Sequence, residues 1–395
     1  MKSFVGFGFG PIQSGLFVFE AIRSGNFQNC IIAEIDSDIV QAVRNAGGFY
    51  EINVAHADRL STARLGPVQL LNPIVEKDRH LLLEAIGDAD EIATALPSVE
   101  FYARGGNASA ASLLADGFQK SARSRQRIVY AAENHNCAAE ILGETVAKAL
   151  HGSLPRDTQF LNTVIGKMSG IITDKEELRR LGLAPLTPGS SRAVLVEEFN
   201  RILISRIILP GFRCGIEVFE EKSNLLPFEE AKLYGHNAAH ALLGYLAGKQ
   251  GCRCLAEANS QLQEFVRAAF LEESGAALLH KYTGLDYLFT PAGFMAYADD
   301  LLRRMVNPWL RDSVERVTRD PRRKLGWHDR LVGTMRLALD AGIVPKRFAK
   351  GALAAFELLS CEQPGTVLED LWPEPDEPVG RKKTLKELLE SSSHF

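Results

Sequence analysis

Along its first half the chain alternates short apolar, β-branched segments with amphipathic stretches, a pattern that predicts a parallel sheet covered by helices. Strands are expected over 4–8, 30–35, 91–96 and 127–132, and helices over 15–24 and 38–46. Turn and linker signals gather between 153 and 190, in Leu-Pro-Arg-Asp and then Leu-Ala-Pro-Leu-Thr-Pro-Gly-Ser-Ser, and place an expected domain boundary near 190. From Pro227 onward, apolar residues recur at three-four spacing through 227–247, 254–274, 292–305, 327–341 and 345–360, which predicts a mainly helical second domain. The proline- and charge-rich end predicts a loose surface helix over 381–393.

Composition narrows the partners. A chain of 395 residues exceeds the usual limit of one hydrophobic core, so two domains are expected, 1–190 and 191–395. With 46% hydrophobic residues, 24% charged and a formal net charge of -4, nothing suggests a surface for nucleic acid or for a membrane. No apolar run approaches the ~18 residues needed to span a bilayer. Six scattered cysteines fit free thiols in a reducing, cytoplasmic setting. Cys252-x-Cys254 is too tight and isolated for a zinc knuckle, and no nearby acid or cysteine completes a site with His236 and His240, so no metal is expected.

Between the first strand and first helix lies Gly6-Phe7-Gly8-Phe9-Gly10-Pro11-Ile12-Gln13-Ser14-Gly15. Glycines there allow a tight turn and let backbone amides approach a pyrophosphate at the helix N-terminus. The third glycine of the usual G-x-G-x-x-G would fall at 13, which is Gln13, and a glycine appears instead at Gly15. The second strand ends Ala33-Glu34-Ile35-Asp36, which puts an acid ~25 residues after the glycines, where it would accept from ribose hydroxyls and repel a 2′-phosphate. The expectation is a Rossmann-type α/β domain binding NAD, with Glu34 on the ribose and Asp36 as the alternative. Gly8, Gly10, Ile12, Gly15 and Thr94 are the other expected contacts.

The segment Glu229 to His240 carries the candidate chemistry. On an ideal helix of ~100° per residue, His240 stands at about 80° from Lys232, Asn237 at about 140° and His236 at about 40°. A buried Lys232 can lose enough basicity to take a proton from an alcohol, Asn237 can polarise the oxygen, and His240 can orient either. The same spacing also suits a merely polar helix face.

Lys-x-x-x-x-Asn-x-x-His, as Lys232, Asn237 and His240, resembles the catalytic signature of the polyol-specific long-chain dehydrogenases, the mannitol dehydrogenase family. The glycine turn resembles the family's Gly-x-Gly-Asn-Ile-Gly-Arg-Gly, and Ala33-Glu34-Ile35-Asp36 its strand-two acid. Ala132-Glu133-Asn134 is similar to a strand end whose Asn joins the family's oxyanion site. Glu272-Glu273-Ser274-Gly275, Asn307-Pro308 and the run from Asp312 through Arg323-Lys324-Leu325 look like its helical domain, in which the positions of Arg316 and Lys324 reach the substrate. Length and the stretch after His240 are nearer the mannitol-1-phosphate branch. Ile165-Gly166-Lys167-Met168 departs from the family's Val-Asp-Arg-Ile and lacks its pocket carboxylate, and Leu96-Pro97-Ser98 stands where Val-Gly-Pro is typical.

The resemblance implies metal-independent hydride transfer between a polyol or polyol phosphate and NAD. Lys232 would be the base, Asn134 and Asn237 the donors to the oxygen, His240 an orienting group and Glu229 a proton relay. Mannitol 1-phosphate and fructose 6-phosphate are the first-choice pair, and a monomer or homodimer is expected. The alternatives are a dehydrogenase of another polyol or a hexuronate, suggested by Gly166-Lys167, and an inactive nucleotide-binding sensor or scaffold, suggested by the altered glycine turn.

Overall fold

Alternating strands and helices do form a doubly wound sheet. The computed structural model describes residues 1–121, 125–199 and 201–392. Twelve strands are present among them: β1 Lys2–Phe7, β2 Phe27–Ala33, β3 Tyr50–Ala55, β4 Leu60–Leu65, β5 Gln69–Leu71, β6 Glu91–Thr94, β7 Arg127–Ala131, β8 Thr158–Ile165, β9 Ser169–Ile172, β10 Ala193–Glu197, β11 Ile202–Ser205 and β12 Phe219–Lys222. The larger sheet runs β12-β11-β8-β7-β6-β1-β2-β5. Its six strands from β8 to β5 are parallel throughout, and in chain order this is the 3-2-1-4-5-6 arrangement of a dinucleotide-binding fold. The order reverses between β1 and β6, so the carboxyl ends of those strands flank the switch point where such sheets bind ligands. β11 pairs antiparallel with β8, and β12, parallel to β11, forms the edge.

The core explains why the central strands read as unbroken apolar runs. Phe4, Ile32, Ala93, Tyr130 and Leu161 pack on one face, and Val5, Ile92, Val129 and Leu142 on the other. A strand covered on both faces has no polar side to alternate with.

A smaller sheet, β4-β3-β10-β9, corrects the expected domain boundary. β10 pairs in parallel with β3, Leu195 against Asn53, and β9 with β10. The segment taken for a linker therefore contributes β8 to one sheet and β9 to the other, and the compact units are Met1–Leu226 and Pro227–Phe395. Local turn signals could not anticipate a pairing between strands so far apart in the chain.

The second unit is helical, as the three-four spacing predicts. Helix Ala238–Lys249 is buried on nearly every side, at Ala238, Ala239, Leu242, Leu243, Tyr245 and Ala247. Helices Val314–Thr318 and Lys346–Glu362 pack against it. The terminal helix is Arg381–Ser391, anchored by Leu385 and Leu389, so it is docked rather than loose. Ser393, the expected end of that helix, lies outside the described residues. No helix among the described residues is long and apolar enough to cross a membrane.

Candidate active site

In the first unit, β1 delivers the glycine turn to the switch point. Gly8 has φ +82°, the left-handed region that favours glycine, and a Cβ there would meet the Ala95 carbonyl after β6 at 3.1 Å. A cavity of about 490 Å³ opens beside it, lined by Gly8, Gly10, Ile12, Glu34, Asp36 and Arg192 among others. It runs from the turn to the acid after β2, which is the span a dinucleotide needs.

Glu34 braces that cavity. Its Oε2 accepts from the Phe9 N–H at 2.7 Å and its Oε1 from the Asp36 N–H at 2.8 Å, tying the turn to the end of β2. A carboxylate has about four acceptor sites, so capacity remains for ribose hydroxyls. Asp36 caps helix Ser37–Asn45 by accepting from the Asp38 and Ile39 amides. Its other oxygen lies 3.9 Å from the Arg192 guanidinium.

Gly15 and Thr94 make defined contacts within the first unit. A Cβ on Gly15 would run into the Val196 side chain of β10 at 2.6 Å, so this glycine permits close packing of helix on strand. Gln13 fills the space left beside Gly6, and neither of its buried amide atoms has a hydrogen-bond partner among the described residues. Thr94 is buried and donates to Glu133 Oε2 at 2.9 Å. Glu133 also accepts from the Tyr102 hydroxyl and from the Leu96 amide at 2.8 Å, and burial raises its carboxyl above the usual range. This cross-brace ties the carboxyl ends of β6 and β7 together and leads directly to Asn134, which is exposed. Lys167 is buried and donates to the Phe199 carbonyl at 3.1 Å.

In the second unit, the Lys232 segment is not an α-helix. Ala231–Asn237 forms a π-helical turn between helices Leu226–Glu230 and Ala238–Lys249. Closing i→i+5 bonds widens the turn, so the residue five ahead stands nearer the first in angle than on an α-helix. Asn237 therefore turns toward the Lys232 face instead of lying at the angle an ideal α-helix dictates. Burial, then the positive charge of Arg330, pull the Lys232 ammonium down to about 8 against the opposing influence of Glu229. Glu229 is itself buried.

His240 is held from behind. Its Nε2 lies 2.7 Å from Oδ2 of Asp312, whose side chain is 0% exposed. Asp312 Oδ1 accepts from Arg316 Nε at 2.8 Å and from a terminal Arg316 nitrogen at 2.6 Å. Burial alone would raise the Asp312 carboxyl, but His240 and Arg316 outweigh it and hold it below its ordinary value. An ionised carboxylate only accepts, so the His240 Nε2 donates to it. His236 is buried, and burial with the nearby cations, Arg304 first, keeps it well below its usual range. Lys324 is buried, donates to the Arg319 carbonyl and is pulled down to about 8 by burial, then by Arg330 and Arg323.

The structure thus brings Lys232, Glu229, Asn237, His240, Arg316 and Lys324 into one unit, and the glycine turn, Glu34, Thr94 and Asn134 into the other. Two residues escaped the sequence reading. Asp312 had a weak signal, four places before Arg316 at a helix start. Arg330 had none, because Lys232, which it acts on, lies far away along the chain.

Residues 224–395 match the mannitol dehydrogenase C-terminal domain. A mannitol-1-phosphate 5-dehydrogenase of Exiguobacterium sibiricum is 30% identical over 353 residues, 89% of this chain and 84% of the relative. One of Bacillus licheniformis is 27% identical, covering 91% of this chain and 89% of its own. A D-sorbitol dehydrogenase structure superposes with a TM-score of 0.72 at 13% identity, covering 90% of this chain and 80% of its own. The Pseudomonas fluorescens mannitol 2-dehydrogenase complex with NAD and D-mannitol does so at 0.66 and 14%, over 99% and 86%. These two share the fold. With a relative at that identity over most of both chains, and the family's helical domain matched from residue 224 to the end, this chain belongs to the mannitol dehydrogenase family of NAD-dependent polyol dehydrogenases.

Proposed function

We propose that the chain interconverts a sugar alcohol, mannitol 1-phosphate in the first instance, and its ketose, fructose 6-phosphate, with NAD as the hydride acceptor and donor. The observation that carries this reading is Lys232, an amine brought down to about 8 on a π-helical turn that sets Asn237 toward its face. Curated relatives of nearly the same extent, named as mannitol-1-phosphate 5-dehydrogenases, support the substrate.

NAD supplies the carbon that takes or returns the hydride. Glu34 and the glycine turn, with Gly8, Gly10 and Ile12, would hold it. Lys232 takes the hydroxyl proton during oxidation and returns it during ketone reduction. Asn134 and Asn237 donate hydrogen bonds to the oxygen as negative charge grows there. His240, fixed by Asp312, orients the substrate or the Lys232 amine through Nδ1. Glu229 passes the proton toward solvent. Lys324 contacts the substrate, while Arg316 acts chiefly through Asp312.

Lys232→Ala is expected to lower turnover by about 10²- to 10⁴-fold while NADH binding stays intact. Near-normal turnover in that variant removes Lys232 as the base. NADH oxidation with fructose 6-phosphate, fructose, fructuronate and tagaturonate identifies the substrate. NADH binding without turnover of any of them replaces this reading with a nucleotide-binding sensor.

A further inference from the structure

Arg330 lies between helices Pro321–Lys324 and Val332–Asp340, and only one edge of its guanidinium is engaged. Nε donates to Asp329 Oδ1 at 2.9 Å, and the Arg330 amide donates to the same oxygen at 2.7 Å. Among the described residues the side chain has no other hydrogen-bond or ion-pair partner. It is 12% exposed, buried enough to be desolvated and open enough to meet a solute.

Its surroundings are short of negative charge. After burial, Arg330 is the largest influence on both Lys232 and Lys324, and it acts on His236 and Tyr245 as well. Lys324 is 4% exposed, and its ammonium stands 6.0 Å from the Tyr245 ring. Asp329 is shared, its Oδ2 lying 3.5 Å from Arg323, and Asp320 is taken by Arg323 at 2.8 Å. Buried charges are normally paired. Here Lys324 and Arg330 lie near two carboxylates, Asp320 and Asp329, and Arg323 shares both of them. Arg316, the cation the sequence pointed to, differs: Asp312 already answers its charge through two bonds.

We infer that Arg330, together with Lys324, receives an anionic terminal group of the substrate, a phosphate monoester or a carboxylate carried on the polyol chain. The open guanidinium edge offers paired donors that match two oxygens of such a group. Lys324 adds a point charge. This assignment rests on the proposed dehydrogenase reading for its reaction, though not for the binding of an anion.

The test compares full-length wild type with Arg330→Gln. Inorganic phosphate is titrated into each by calorimetry, and NADH oxidation is measured with fructose 6-phosphate, fructuronate and fructose. A charged hydrogen-bonded contact is worth about 1.5–3 kcal/mol, so KM for the anionic substrate should rise about 10- to 100-fold relative to KM for fructose, a ratio that cancels any change at Lys232 common to both ketoses. The anionic ketose that loses affinity tells phosphate from carboxylate. A phosphate-binding step present in wild type should vanish in the variant, while any step at the glycine turn persists in both. Wild type that reduces nothing, yet loses phosphate binding through Arg330→Gln, refutes the dehydrogenase reading and upholds the anion site. Equal weakening of fructose and fructose 6-phosphate, or unchanged phosphate binding, overturns the anion site. Should the Gln variant fail to fold, Arg330→Lys keeps the charge without the fork. It should raise KM for the ketose phosphate at least about threefold, and an unchanged KM overturns the assignment.

Discussion

Replacing Asp312 with Asn preserves volume and removes the charge on which His240 and Arg316 both depend. The carboxylate is fully buried and accepts one bond from His240 at 2.7 Å and two from Arg316 at 2.8 and 2.6 Å. An Asn has one acceptor oxygen and presents an NH2 group to the remaining donors. Breaking a buried pair by removing one partner costs about 3–5 kcal/mol. Arg316 is 41% exposed on its side chain and can turn to water, which reduces the loss to about 2–4 kcal/mol. For a unit of this size that corresponds to a drop on the order of 10 °C in the melting midpoint of the helical unit. Because folding depresses the Asp312 carboxyl, its contribution is full above the ordinary value near ~3.9 and disappears as pH falls through the depressed one. The stability gap between wild type and variant should therefore be flat from about pH 5 to 8 and close only in strong acid. Turnover should also fall by about 10- to 100-fold, the usual cost of losing a partner that fixes a histidine's tautomer. Urea titrations across pH, followed by tryptophan fluorescence, measure the gap, and steady-state rates measure the rest. A variant as stable as wild type at pH 7, or a gap that widens toward acid, refutes the argument.

Three further outcomes follow from individual contacts. The Lys232 ammonium titrates at about 8, so polyol oxidation, which needs the neutral amine, should rise with pH to a plateau above that value. Ketone reduction, which needs the ammonium, should fall over the same range, and a pH-independent kcat/KM in both directions would sink the idea. Asp36→Ser retains a side chain able to cap helix Ser37–Asn45 and releases Arg192 from its carboxylate neighbour, so the ratio of NADP to NAD use should rise by about tenfold or more. An unchanged ratio in initial-rate assays would show that Asp36 takes no part in the choice. Gln13→Met removes a buried amide with no partner and should stabilise the nucleotide-binding unit by about 1–3 kcal/mol, read as a higher urea midpoint. A lower midpoint would mean that the amide has a bound water worth keeping.

The amino-acid order alone was enough for the fold class, because period-2 and three-four patterns report which faces are buried, and each is a property of neighbouring residues. The same holds for the glycine turn with Glu34 after β2, and for the Lys232, Asn237 and His240 spacing. Long-range contacts decided the rest. β10 belongs to the first unit because it pairs with a strand laid down far earlier, Leu195 with Asn53. Gln13 can replace a glycine because Gly6 leaves it room, and Gly15 lets the Val196 side chain come close. The π-helical turn brings Asn237 nearer the Lys232 face, and the packing of Gly235 against the Phe270 ring accompanies it, a Cβ there meeting the ring at 2.8 Å. Asp312 behind His240 and Arg330 beside Lys232 and Lys324 are charges brought in from other segments of the chain. A periodicity read along one segment carries no information about such neighbours, since their positions are set by how the helices pack.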